Sequence, residues 1–319
     1  MSARAILPVL LLLSFICSCR GQLRVGFYAD TCPDAEATVR SVVTDAFNSD
    51  VNTASGLLRL HFHDCIVDGC DGSVLINQPD GQQENRAFGH QGLRGFNVID
   101  QAKAQLEATC PGVVSCADIV ALAARDSIAL SNGPRYEVPT GRKDGLVSAI
   151  SDANNLPDQD DPAEVLIAKF RAKGLSEKDL VLLSAAHTIG TTACFFMGNR
   201  LFNFRNSGGP DPSINPPFLQ KLQQACPAGG DINRRIMIDA GSHLRFDTQI
   251  YANIRAGFAV LQSDAALYSH AATRPIVDSY LRSPAAFPGD FAAAMVKLGT
   301  VGVLTGSQGE IRNVCSSFN

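Results

Sequence analysis

Apolar residues recur along most of this chain at intervals of three and four, the spacing of one face of an α-helix. Phe96, Ile99, Leu106 and Cys110, with the stem of Lys103, keep that rhythm and predict a helix over 96–110. Ser115 with Asp118 is a start signal ahead of Ile119, Leu122 and Ala123, and Gly133-Pro134 stops that segment. A second capping box, Ser176-Glu177-Lys178-Asp179, opens a helix through Leu180, Leu183 and Ser184 to His187, closed by Gly190. Asp290 is the expected cap of a short Ala-rich helix with Phe291, Ala294, Met295 and Leu298 on one side. Period-two alternation is scarce, and short candidates such as Gly302-Val303-Leu304-Thr305 sit near turns. The Pro/Gly-rich stretches Gly208–Pro217 and Pro227–Ile232 read as loops. No repeat, low-complexity tract or phosphate-cradling glycine loop occurs, so the pattern predicts a mainly α fold.

The chain ends and the composition narrow the class. Arg4, an apolar stretch of 11 residues from Ile6 to Ile16, and small side chains at Cys19 and Gly21 read as a signal peptide over 1–21. That stretch is too short to span a membrane, which takes about 20 residues, and no other segment qualifies. A mature chain from Gln22 has 298 of the 319 residues, enough for one large domain or two lobes. Losing Arg4 and Arg20 leaves 25 basic against 31 acidic residues, a net charge of −6. With no basic run, nucleic acid and anionic membrane surfaces are poor partners. No Asn-x-Ser/Thr sequon is present. Of the ten cysteines, eight lie beyond the leader: Cys32, Cys65, Cys70, Cys110, Cys116, Cys194, Cys226 and Cys315. An even number in an exported chain argues for four disulfides. Roughly a hundred pairings are possible, so counting alone cannot connect them.

Three segments carry candidate chemistry. In Arg59-Leu60-His61-Phe62-His63-Asp64-Cys65, Arg59 and His63 share a helix face with Phe62 beside them. A fixed cation next to an imidazole suits peroxide O–O cleavage, in which one group moves a proton and the other stabilises departing charge. The plainer reading is a surface arginine with two satisfied histidines. From Asp64 to Ser73, carboxylates at Asp64, Asp68 and Asp71, the Ser73 hydroxyl and two glycines suit a hard cation such as Ca²⁺. The EF-hand spacing and its closing Glu are absent, and a solvated polar turn is the alternative. His187, late in an apolar helix, is either a satisfied core residue or an axial haem ligand needing a carboxylate or carbonyl behind it.

Taken together, Leu58–Ser73, Ser184–Gly190, Phe246-Asp247 and the cysteine framework resemble the secretory plant (class III) haem peroxidases. The likeness runs from about Gln22 to Asn319. It includes Phe27-Tyr28 before Cys32, Arg94-Gly95-Phe96, Ser115-Cys116-Ala117-Asp118, Gly141-Arg142-Lys143-Asp144 and Gly309–Cys315. The resemblance implies two helical lobes, about 22–150 and 151–319, enclosing one haem b, with few short strands. It makes His63 the distal acid/base, Arg59 its electrostatic partner and Phe62 the ring limiting access; His61 is then structural. His187 becomes the haem iron ligand, with Asp264 as the carboxylate behind it. Two Ca²⁺ sites are implied: Asp64, Val67, Gly69, Asp71, Ser73 and (through water) Glu84; and Thr188, Asp239, Ser242, Arg245 (by its carbonyl) and Asp247. The implied disulfides are Cys32–Cys110, Cys65–Cys70, Cys116–Cys315 and Cys194–Cys226. Pro139 matches the position whose carbonyl helps hold phenolic donors. The implied substrates are hydrogen peroxide and small phenols, and a secreted, extracellular monomer of the apoplast or cell wall is expected.

Two positions depart from the family pattern. His90 stands where the family usually has an Asn that accepts the distal imidazole N–H. A neutral His90 can accept through a ring nitrogen and a protonated one cannot, which predicts an added acid-side loss in the peroxide reaction. Trp is absent, with Tyr136 where many members carry it, so a tryptophan radical is excluded. Two other classes compete: a metallohydrolase using His61 and His63 as a metal pair, and a calcium-stabilised, disulfide-bonded scaffold without turnover. Neither suits the helical surroundings and the intact Arg59, His63 and His187 as well as the peroxidase does.

Overall fold

The helical spacing resolves into twelve α-helices among residues 22–319, the part of the chain that this computed structural model describes. The expected leader, 1–21, lies outside the described residues. The first four helices are α1 (Ala35–Ser49), α2 (Thr53–Ile66), α3 (Phe96–Thr109) and α4 (Cys116–Leu130). The next four are α5 (Ala163–Ala172), α6 (Glu177–Ser184), α7 (Gly198–Phe202) and α8 (Pro216–Ala225). The last are α9 (Gln249–Arg255), α10 (Gln262–Ser269), α11 (Arg274–Arg282) and α12 (Phe287–Leu298). Two three-residue strands, β1 (Thr191–Ala193) and β2 (Arg235–Met237), pair antiparallel with Thr192 opposite Ile236. No helix among the described residues is long and apolar enough to cross a membrane.

α2 is the wall between two cores. Leu57 and Leu60 face Val39, Val42 and Val43 of α1, Ile99 of α3 and Leu122 of α4. Leu58 and Ile66 join the second core, with Phe170 of α5, Leu182 of α6, Ile250 of α9 and Phe291 of α12. Each such side chain contributes roughly 1.5–3 kcal/mol by leaving water, so both cores hold α2 and the residues it carries. A third, smaller core joins α7 and α8 through Met197, Leu201, Phe218 and Leu222.

The helix signals behave as local chemistry dictates, with four exceptions. Ser115 Oγ accepts the Asp118 N–H, and Ser176 with Asp179 forms the reciprocal capping box. The helix opened at Ser176 does not run to His187. α6 stops at Ser184 and tightens into a 3-10 turn over Ala185–Thr188. Asp290 is not a cap, because Pro288 tolerates the first turn and the helix starts at Phe287. Pro216 and Pro217, expected in a loop, open α8 for the same reason. Gly302–Thr305 forms no strand; Leu304 makes a single bridge to Lys143.

The C-terminal segment returns to the first half of the chain. Asp144 Oδ2 accepts the backbone N–H groups of Cys116 (3.1 Å) and Arg312 (2.9 Å). Asp118 Oδ2 accepts Tyr28 Oη (2.7 Å) and the Gly141 N–H (2.6 Å), while Arg142 Nε donates to Gly299 O (3.0 Å). The Ser115–Asp118 and Gly141–Asp144 motifs therefore bind each other and the chain's end. Cys116 is bonded to Cys315, Cys32 to Cys110, Cys65 to Cys70 and Cys194 to Cys226.

Candidate active site

Helical spacing brings Arg59 onto His63: Arg59 Nε donates to His63 Nε2 at 3.1 Å. Its Nη2 also donates to the carbonyls of Gly89 (3.3 Å) and Gln91 (3.2 Å), which anchors the guanidinium to the 88–91 turn. That turn delivers His90, only 2% exposed, so that its Nδ1 lies 2.9 Å from His63 Nδ1. Three contacts then select the tautomers. His63 Nε2 accepts from Arg59, so the His63 proton sits on Nδ1 and His90 Nδ1 must accept it. The His90 proton is left on Nε2, 3.3 Å from Glu84 Oε1, a pair that lacks hydrogen-bond alignment. Burial first, then the charge of Arg59, holds the His63 pKa well below the ordinary imidazole value. Burial and nearby Arg235 lower the Arg59 guanidinium to about 10. Phe62 sits half-buried beside His63, ring centroids 6.0 Å apart, and leans on Phe170 at 5.9 Å.

His61 takes the other side of α2. Its Nδ1 is 3.6 Å from Cys65 Sγ, and it lines a small cavity with Tyr136, Pro139 and Arg142. Burial, then Arg142, drops its pKa to about 3. His61 and His63 thus do not converge on one metal.

His187 stands on the 3-10 turn after α6, and its Nδ1 is 2.9 Å from Asp264 Oδ1 at the start of α10. Burial pulls its pKa down, but the charge and hydrogen bond of Asp264 outweigh burial and the net shift is upward. Its ring is deep in the chain and close enough to His63 and Arg59 to influence their charge, yet 38% of the side chain is open. With Nδ1 engaged, Nε2 has no protein partner among the described residues. His187 therefore has a ring nitrogen to offer, whereas both His63 nitrogens are engaged, by His90 and Arg59; the two rings are near enough to feel each other's charge.

Around each histidine lies an oxygen cluster. Next to His63, both oxygens of Asp64, both of Glu84 and the Ser73 hydroxyl are buried without a hydrogen-bond partner. Burial, then the charges of Asp71 and Glu84, pushes the Asp64 carboxyl well up. Orphaned oxygens under like-charge pressure fit a hard cation. No three His, Cys, Asp or Glu side chains among the described residues converge closely enough to hold a metal by themselves, so the fit needs Ser73 and backbone carbonyls. The Val67 carbonyl accepts Lys173 Nζ. Gly69 is held at φ +134°, and a side chain there would strike the Gly302 backbone. Next to His187, Thr188 Oγ1 donates to Asp239 Oδ2 (3.0 Å), and Ser242 Oγ reaches Asp239 Oδ2 (2.9 Å) and Asp247 Oδ1 (3.1 Å). Burial lifts Asp239 to about 6. The β1–β2 pairing makes this cluster, since Ile238 N–H bonds Gly190 O and brings Asp239 beside Thr188. Arg245 turns its Nε to Asp247 Oδ2 at 2.8 Å.

A family model described as Peroxidase matches residues 39–283. The chain is 59% identical over 302 residues to Peroxidase 43 of Arabidopsis thaliana, covering 93% of this chain and 92% of that protein. It is 54% identical over 303 residues to Peroxidase 13 of the same plant, covering 93% of each. With Peroxidase N1 of Nicotiana tabacum it shares 50% over 300 residues, 93% of this chain and 90% of that one. The chain belongs to the plant class III peroxidase family. It is a haem peroxidase, reducing hydrogen peroxide and oxidising donors, and the half-open His187 ring fits haem on the observation above.

Two features of this peroxidase site escape sequence reasoning. Arg235 of β2, bonded to Thr191 O at 2.6 Å, brings a second cation toward Arg59. An aromatic group joins distant segments: Phe88 (56% exposed) lies 5.7 Å from Phe195 (38% exposed), which lies 5.1 Å from Phe196. The Phe195-Phe196 dipeptide was the one available signal. Pro139 needs correcting. Its carbonyl accepts Arg142 Nη1 at 2.8 Å, and the residue lines the His61 cavity across α2 from His63. At the His63 side the chain instead lays Leu156 against Gly89, next to Phe88.

Proposed function

We propose that the cleft between His63 and His187 holds one haem b, with His187 Nε2 as the iron's protein ligand. The haem, when bound, supplies the iron at which peroxide is split and the electrons that donors later return. His63 Nε2 takes a proton from the proximal peroxide oxygen and returns it to the leaving oxygen, a step open to a neutral imidazole only. Arg59 stabilises the charge that accumulates on the leaving oxygen. His90 keeps the His63 proton on Nδ1, so Nε2 stays a base. Asp264 makes His187 a stronger donor to the metal.

The finer assignments follow the same logic. The orphaned oxygens of Asp64, Ser73 and Glu84, with the carbonyls of Val67 and Gly69 and the Asp71 carboxylate, would take one Ca²⁺. Thr188, Asp239, Ser242, Asp247 and the Arg245 carbonyl would take another. Small phenols are the donors that the Phe88–Phe195–Phe196 group suits, because flat rings stack on exposed aromatic edges. Four disulfides support a secreted, extracellular protein, and a monomer of two lobes, 22–150 and 151–319, is the proposed working form.

The observation carrying this reading is the contrast between an imidazole held by Arg59 and His90 and one held by Asp264, near enough to feel each other's charge. Peroxide-dependent oxidation of guaiacol and a panel of monolignols tests it. Turnover that requires haem and falls for non-aromatic donors is expected; turnover of iodide but no phenol at all would remove the donor assignment.

A further inference from the structure

We propose that Tyr251 and Tyr280 form a redox-active pair that takes one oxidising equivalent from the peroxide-oxidised haem when no donor is at hand, leaving a neutral radical on Tyr280. The inference rests on haem bound at His187. It adds to that reading an electron donor inside the protein.

The route starts behind the proximal ligand. α9, which carries Tyr251, packs against the 3-10 turn of His187 and against α10, which carries Asp264. Asp264, bonded to His187, is near enough to Tyr251 to oppose its ionisation. Tyr251 stacks on Tyr280 of α11, ring centroids 5.5 Å apart and planes 15° from parallel, so the two π systems overlap. Both rings are buried, and the chain has no Trp to compete as the more easily oxidised residue.

The proton decides where the radical rests. A phenol that has lost an electron becomes a strong acid and must shed its O–H proton to persist. Tyr251 Oη donates to the Val181 carbonyl at 3.1 Å, an oxygen that cannot keep a proton. Tyr280 Oη donates to Asp290 Oδ2 at 2.8 Å, a carboxylate reaching the surface beside Lys178 (2.9 Å). That distance suits proton transfer. The balance is therefore one electron from Tyr280 through Tyr251 to the haem, and one proton from Tyr280 Oη to Asp290. A phenolic donor restores the pair by giving up one electron, while Asp290 returns its proton to Tyr280 Oη and the donor's own phenolic proton goes to water.

The other three tyrosines each lack one part of this arrangement; Tyr136, in the small cavity beside His61, has no carboxylate hydrogen-bonded to it among the described residues. Tyr28 bonds Asp118, but that carboxylate is fully buried and also holds Arg142 and the Gly141 N–H, so a proton placed there has no path to water, unlike one on the partly exposed Asp290. Tyr268 lies under the Arg274 guanidinium, whose charge opposes electron loss from the ring.

The test is freeze-quenched electron paramagnetic resonance of the haem-loaded enzyme after one equivalent of peroxide without donor, with haem absorbance followed in parallel. Wild type should give a tyrosyl signal that narrows with ring-deuterated tyrosine. Tyr280→Phe, which keeps the stack, and Asp290→Asn, which removes the proton acceptor, should each cut the radical yield at least fivefold. The rate of the initial haem absorbance change should stay within twofold in both. An undiminished tyrosyl signal in Tyr280→Phe, or no tyrosyl signal in wild type whose haem does respond to peroxide, would overturn the pair. A haem spectrum unmoved by peroxide in wild type would instead overturn the underlying haem assignment, and the pair with it.

Discussion

His63 is enclosed by protein and His187 is half-open, and their surroundings drive them in opposite directions. Around His63 the neighbours are cationic or imidazole, so burial and Arg59 act together and the ring stays a neutral base. Around His187 a single carboxylate, Asp264, opposes burial and prevails, so the ring gains anionic character at its bonded proton. On the proposed function, one residue type thus serves as an acid/base on one side and as a metal donor on the other. Burial alone does not assign the role; the charge of the second partner does.

The largest expected break in this contrast is His63→Leu. Removing the imidazole that pairs with Arg59 should lower the second-order rate of the peroxide reaction by about 10²–10⁴-fold, read by stopped-flow absorbance, while haem stays bound. A loss of less than threefold would mean that the proton moves by another route. On the opposite side, Asp264→Asn keeps shape but removes the charge. Haem retention against an apo-myoglobin trap should weaken by about 10–100-fold; unchanged retention would show that the carboxylate does not tune the ligand.

Stripping Ca²⁺ from the two proposed sites probes both sides at once, because Asp64 follows His63 and Thr188 follows His187 in sequence. The melting temperature should fall by roughly 5–10 °C, with parallel loss of peroxide rate. Full activity after verified removal of metal would count against coupling of the ions to the histidines. The smallest effect sharpens the role of His90 as a positioning residue. An Asn carbonyl can accept the His63 Nδ1 proton as His90 does, so His90→Asn should stay within about threefold near neutral pH. His90→Leu leaves that N–H buried and unpaired at a cost of about 1–3 kcal/mol. Equal rates in the Leu and Asn variants would remove His90 from the account.

What the chain reveals before folding is its local chemistry. Arg59, Phe62 and His63 share a helix face by arithmetic, and the Ser115 and Ser176 caps are written in three or four letters. What stays hidden depends on where distant segments meet. β1 and β2 have three residues each, too few to show alternation, although they set Asp239 beside Thr188. Asp290 looks like a cap until Pro288 moves the helix start, and it then becomes the partner of Tyr280. Pro139 sits in a recognisable stretch, but the turn into Arg142 carries it to the wrong side of α2. Phe88 and Phe195 are more than a hundred residues apart, and only the fold shows that their rings touch.

The central claim is that His187 bonds the iron and His63 faces it unbound, and haem titration of the two alanine variants tests it most directly. His63→Ala should bind haem with the absorption spectrum of a histidine-ligated iron. His187→Ala should lose that spectrum and hold haem far more weakly, with added imidazole restoring it. The reverse pattern, with ligation surviving in His187→Ala and failing in His63→Ala, would contradict the account.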